Sequence, residues 1–105
     1  VVLSYPDLQV IHEEFTEVSL SVPYVSGFLG FREVPVFMSL LDRVKGTDLC
    51  PQVLMVDGFG VLHERRCGSA SHLGVVSGLP TIGVAKTLVS IDGLSERVAR
   101  ERCAV

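Results

Sequence analysis

Apolar and polar residues change their period along this chain, and each change marks a new element. Val1 to Tyr5 and Leu8 to about Leu20 alternate in the period-two manner of strands, with Pro6-Asp7 between them as a turn. They predict an antiparallel hairpin with one or two strands beyond the turn. The alternation breaks at His12-Glu13-Glu14, which suits a bulge or a long edge strand. Pro23 to Arg32, PYVSGFLGFR, keeps no period and reads as an ordered, irregular loop rich in aromatics. From Glu33 the period becomes helical, because Val34, Phe37, Leu41 and Val44 recur at spacings of three and four. Pro35 falls in the first turn of that helix, where a missing N–H costs nothing, and Gly46 ends it.

The second half changes pattern again. Gln52 to Val56 is a short apolar run that meets Asp57-Gly58, the pattern of a buried strand with a carboxylate at its C-terminal end. After a loop rich in Gly and Arg, Ser69 to Ser77 predicts a short helix stopped by Gly78-Leu79-Pro80, and Thr81 to Ala85 a second apolar strand ending at Lys86. Strand, helix and strand in this order make a βαβ unit, whose handed crossover sets the two strands parallel. Asp57 and Lys86 should then emerge on the same sheet edge, where open α/β folds place their sites. Asp92-Gly93 is a turn, and Ser95 is a good N-cap for a last helix through Cys103. The expected fold class is α/β: a mixed sheet with flanking helices, compatible with the ribonuclease H-like fold but not specific to it. Residues 1–105 read as one partial domain. The chain starts in strand-like sequence and stops where a helix can continue, so it is expected to be truncated at both ends.

Composition narrows the function classes without choosing one. At 48% apolar, 105 residues can build one hydrophobic core. Nine Lys and Arg against twelve Asp and Glu give a net charge of −3, which argues against a general basic surface for nucleic acid. A nuclease stays open, since its metal-binding carboxylates add negative charge while a few cations meet phosphates locally. Cys50, Cys67 and Cys103 are an odd set without C-x-x-C or zinc spacing, read as reduced thiols of an intracellular protein. No apolar stretch is long enough to span a membrane.

Asp57 is the strongest single candidate for chemistry. It follows an apolar strand, and Gly58 and Gly60 leave its backbone open to a ligand; taken alone it is also an ordinary turn former. Glu33 opens the expected helix and either serves the helix dipole there or points to the sheet edge. Together the two acids suit a hard cation such as Mg²⁺, which prefers carboxylate oxygens and retained waters. Lys86 can neutralise a phosphate or orient a water, or merely snorkel at a strand end. His63 and His72 lack metal-ligand spacing and suit structural hydrogen bonds. Tyr24, Phe28 and Phe31 share a glycine-containing loop from which an aromatic can stack on a base, with core anchoring the plainer reading for the two phenylalanines. Arg65 and Arg66 form a compact basic loop that can touch phosphates or stay solvated.

These residues also carry a family resemblance. PYVSGFLGFRE (Pro23 to Glu33), VDGFGVLHERRCG (Val56 to Gly68), ASHLG (Ala70 to Gly74) and PTIGVAK (Pro80 to Lys86) resemble, in order, the signature blocks of endonuclease V, also called deoxyinosine 3′-endonuclease. The resemblance covers essentially the whole chain. It implies that Glu33 and Asp57 are two metal-site acids, Lys86 the active-site lysine and Tyr24 the wedge that separates the strand at the lesion. His63, Gly58, Gly68, Ser71 and His72 match the surroundings of a flipped hypoxanthine, a base cheaper to extract than a well-paired one. It further implies Mg²⁺, hydrolysis at the second phosphodiester 3′ to inosine in single-stranded RNA or DNA, a monomeric intact enzyme, and residence in cytoplasm and nucleus or nucleolus. Ser26, where bacterial members usually carry Pro, resembles animal members; Phe59 and Glu64 also depart from the common pattern. A further family Asp and a C-terminal contribution match no residue here, so these 105 residues alone are expected to be nearly inactive. The alternatives are a catalytically inactive nucleic-acid-binding fragment and another ribonuclease H-like nuclease without inosine preference.

Overall fold

The computed structural model describes residues 1–104. The hairpin forms, but shorter than its alternation suggests: β1 (Val2–Leu3) pairs antiparallel with β2 (Val10–His12). Val2 faces His12 while Leu3 faces Val10, so Ile11 is the extra residue of a bulge, just before the position where the alternation breaks. Beyond His12 the chain does not remain a strand. Glu14 accepts a 2.9 Å bond from Arg43, which also donates to the Phe15 carbonyl at 3.0 Å. The segment is thus tied to a helix by side-chain bonds in place of a strand ladder.

Helix α1 runs Leu29–Val44, four residues earlier than its period suggested. Gly27, at φ +83°, makes the turn into it, and Phe28 is its N-cap without a side-chain bond. Two expectations change with that start. Leu29 to Arg32 are helical, not loop, and Pro35 lies inside the helix, where it leaves the Phe31 carbonyl without its usual helical donor. The early start is stabilised by packing: Gly30 is buried, and a Cβ there would lie 2.6 Å from Nδ1 of His72. Gly46, at φ +76°, follows the C-cap Lys45 as expected.

The βαβ unit stands as read, with small shifts. Strand β3 (Leu54–Asp57) includes Asp57 as its last residue, helix α2 is Ser69–Ser77, and β4 (Thr81–Val84) ends two residues before Lys86. The strands are parallel, with Asp57 level with Val84. They form a two-stranded sheet of their own, separate from the hairpin. Leu54 and Val56 turn toward the helices, while Met55 on the other face is 75% exposed. The core is Val34 from α1, Val56 from β3, and Ala70 and Leu73 from α2, with Phe37, Met38 and Leu41 extending the α1 stripe. Thr81 Oγ1 donates to the Ala70 carbonyl at 2.8 Å, fastening α2 to β4.

Helix α3 (Glu96–Cys103) starts at the expected cap, where Ser95 Oγ accepts the Val98 N–H at 3.3 Å. None of its residues is buried. No helix among the described residues is long and apolar enough to cross a membrane.

Leu73 is 3% exposed at the centre of this small core. Leu73→Ala should destabilise the fold by about 2–5 kcal/mol, because both transfer energy and packing are lost. A denaturation midpoint within error of the parent would contradict the core assignment.

Candidate functional site

The first turn of α2 organises the site. Its N-cap, Gly68, has no side chain to satisfy the free helical N–H groups, and the main chain does that work: Ala70 N–H donates to the Phe59 carbonyl at 3.0 Å. This close approach requires glycine at 68, since a Cβ would stand 2.2 Å from that carbonyl oxygen. Gly68 N–H also donates to the Gly60 carbonyl at 2.9 Å, closing the 61–68 loop at its base.

Ser69, the first residue of α2, donates from Oγ to Oε2 of Glu33 at 2.9 Å, across 36 residues of sequence. Glu33 therefore sits in the second turn of α1, half-buried and facing the positive end of α2, and not at its own helix start. Ser69 Cβ also lies 3.4 Å from the point where a Cβ on Gly58 would be. Ser69, the partner of Glu33, thus stands beside Gly58, the residue that follows Asp57, with α2 lying between α1 and β3. Asp57 is exposed at the C-terminal end of β3. Gly58 N–H donates to the Val84 carbonyl at 2.9 Å, which puts Lys86, two residues further on, at the same sheet edge.

Two clefts flank this turn. One, of about 620 Å³, is lined by Phe59, Ser71, Gly83, Lys86, Val89 and Arg100 among others. The other, of about 430 Å³, has Tyr24, Glu33, Arg32, Val36 and Phe37 in its wall. The structure therefore brings Ser71 and Lys86 together in one cleft, and Tyr24 and Glu33 together in the other, with Ser69 bonded to Glu33. Tyr24 is 66% exposed, with the Arg32 guanidinium over its ring at 6.0 Å from the centroid.

The two histidines differ. His63 is buried, and its Nδ1 accepts the Arg65 N–H at 3.0 Å, which leaves Nε2 as the proton-bearing nitrogen of the neutral ring. His72 packs in the α1–α2 interface against Gly30, its ring edge-on to Phe31 at 5.0 Å.

Three contacts were not legible in the sequence. The Ser69 to Glu33 bond joins residues no local spacing relates. Arg65 lies over the Phe28 ring at 4.0 Å from its centroid, a contact worth about 0.5–1 kcal/mol at such an exposed place. Arg66, read as either touching phosphates or staying solvated, is engaged by Asp92 through both terminal nitrogens, Nη2 to Oδ1 being 2.7 Å. Among the described residues no three His, Cys, Asp or Glu side chains converge as a metal site. The donors that Glu33 and Asp57 offer are hard carboxylate oxygens, which fit Mg²⁺ in type.

A family model described as Endonuclease V matches residues 1–104. Over 96 residues the chain is 58% identical to endonuclease V of Mus musculus and to that of Homo sapiens, covering 90% of this chain in each case. It spans only 28% and 34% of the length of those relatives. The crystal structure of the human protein superposes with a TM-score of 0.83 at 51% identity, over 95% of this chain and 43% of that one. An endonuclease V from Ciona intestinalis, in complex with a DNA containing an inosine followed by a ribo-adenosine, gives 0.81 at 45% identity, over 95% of this chain and 43–44% of that one. The α/β fold is that of these structures, ribonuclease H-like as expected.

Asp92 is held below the ordinary aspartate value of 3.8, first by its hydrogen bond to Arg66 and then by that residue's charge. A lowered folded-state value means that the pair stabilises the fold above the unfolded value and ceases to do so as pH falls through the folded one. Arg66→Gln should raise the Asp92 titration midpoint toward 3.8, read by carboxyl NMR; an unmoved midpoint would show the pair absent in solution.

Proposed function

The chain belongs to the endonuclease V family, and from that premise we propose that it carries part of the centre of a Mg²⁺-dependent endonuclease that hydrolyses a phosphodiester 3′ to inosine, in single-stranded RNA or DNA. The hydrogen bond from Ser69 to Glu33 is the observation that carries this reading. It ties the Glu33 carboxylate to the serine that stands beside Gly58, the residue after Asp57.

In this reading Glu33 and Asp57 hold the cation. Mg²⁺, when bound, supplies an activated water and offsets charge on the transferring phosphoryl group. Ser69 donates to Oε2 of Glu33 and so restricts the carboxylate's orientation, leaving Oε1 as the oxygen for the cation. Lys86 lines the larger cleft and places its ammonium where a phosphate oxygen gains charge. Tyr24 offers a ring to the strand, a stack worth about 1–3 kcal/mol. His63 and Ser71, with the close-packed glycines 58 and 68, surround the extruded base. His72 contributes from behind, through the α1 face it packs on. The Ciona intestinalis relative is bound to a DNA containing an inosine followed by a ribo-adenosine, and the proposal extends to a preference for inosine-containing RNA over DNA.

The test uses the protein at its full natural length with matched single-stranded RNA and DNA, with and without inosine. Cleavage should need both Mg²⁺ and inosine and should be faster on RNA; equal or DNA-favouring turnover would overturn the ribose preference. Glu33→Gln and Asp57→Asn should each lower kcat on the order of 100-fold or more. Tight binding without metal-dependent cutting would instead support a binding module.

A further inference from the structure

Arg65 links the two loops that carry Tyr24 and His63. Its guanidinium lies on Phe28, its Nε comes within 3.5 Å of where a Cβ on Gly27 would stand, and its backbone N–H donates to His63 Nδ1. Gly27, at φ +83°, turns the chain into α1 at the point where Arg65 packs beside it. Phe28 lies 6.1 Å from Phe31, which in turn meets His72. A row of cation, ring, ring and imidazole therefore runs from the 61–68 loop across the start of α1 to α2. Among the described residues no carboxylate forms an ion pair with Arg65, in contrast to Arg66 beside it.

We propose that Arg65 is a positioning residue: by lying on Phe28 it sets the 23–28 loop against the His63 loop, so that Tyr24 and His63 act on the same nucleotide. The consequence for cleavage rests on the function proposed above; the tie between loops does not. A phosphate contact at this position would need only the charge, which lysine keeps. A stack needs the planar face, which lysine lacks. The two roles therefore separate by substitution.

Arg65→Lys, Arg65→Gln, Phe28→Leu and the Arg65→Gln/Phe28→Leu double variant would be made in the full-length protein. In the free protein, amide hydrogen exchange over residues 24–28 should rise roughly two- to five-fold in both Arg65 variants, with exchange over 69–77 unchanged. On a Mg²⁺-supplied RNA strand with 2-aminopurine beside inosine, the singles should lower kcat/KM together with the 2-aminopurine signal of strand opening. The double variant should lose no more than the worse single, since both remove one contact. Unaltered exchange at 24–28, additive losses, or a lysine variant equal to the parent would each overturn the proposal. If the parent cuts no inosine strand, the proposed function fails, while the exchange measurement still decides whether Arg65 holds the loop.

Discussion

The fit at the first turn of α2 is the constraint on which the remaining geometry depends. Three things meet there within a few ångströms: the Phe59 carbonyl takes a helical N–H, Gly68 lets that carbonyl approach, and Ser69 reaches Glu33 on another helix. The two hydrogen bonds satisfy polar groups that would otherwise be left without partners in a partly buried place, which costs more than a bond gains, and Gly68 makes room for one of them. Together they connect the segment after β3 to α2, and α2 to α1. The site and the packing of α2 are one arrangement.

Charge and aromatic surface are divided around that turn. Arg66 and Arg43 are engaged by carboxylates, and Glu14 is held below its ordinary value, chiefly by its hydrogen bond to Arg43 and then by that to His12. Such exposed pairs contribute little to stability and mainly fix where segments lie. Arg65 lies on an aromatic ring, and Lys86 faces the larger cleft. A chain of net charge −3 can in this way place a few cations beside a phosphate without a general basic surface. The outer face of the parallel strands is apolar and open, with Met55, Ile82 and Val84 each at least half exposed.

Much was legible from the residues in order. The helix 69–77 with its stop at Gly78-Leu79-Pro80, the cap at Ser95, the parallel βαβ unit and the shared edge of Asp57 and Lys86 depend on neighbours a few positions apart, and they appear with shifts of at most two residues. The start of α1 did not follow, because Gly30 and Phe31 are helical through contacts with His72, 42 and 41 positions away in sequence. The hairpin was over-read beyond His12 for the opposite reason: alternation makes a strand only where a partner strand supplies the ladder, and there Arg43 takes the carbonyl.

The sequence by itself determined the types of element, the order of the blocks that mark the family, and the two acids, lysine and tyrosine on which the proposed chemistry stands, since backbone periodicity and motif order are local properties. The tertiary structure alone decided that Glu33 faces Ser69, that His72 supports a helix, and that Arg65 and Arg66 have different partners. Those outcomes depend on which side chains meet across tens of residues, and a hydrogen bond or stacked ring forms only where packing brings both halves within a few ångströms.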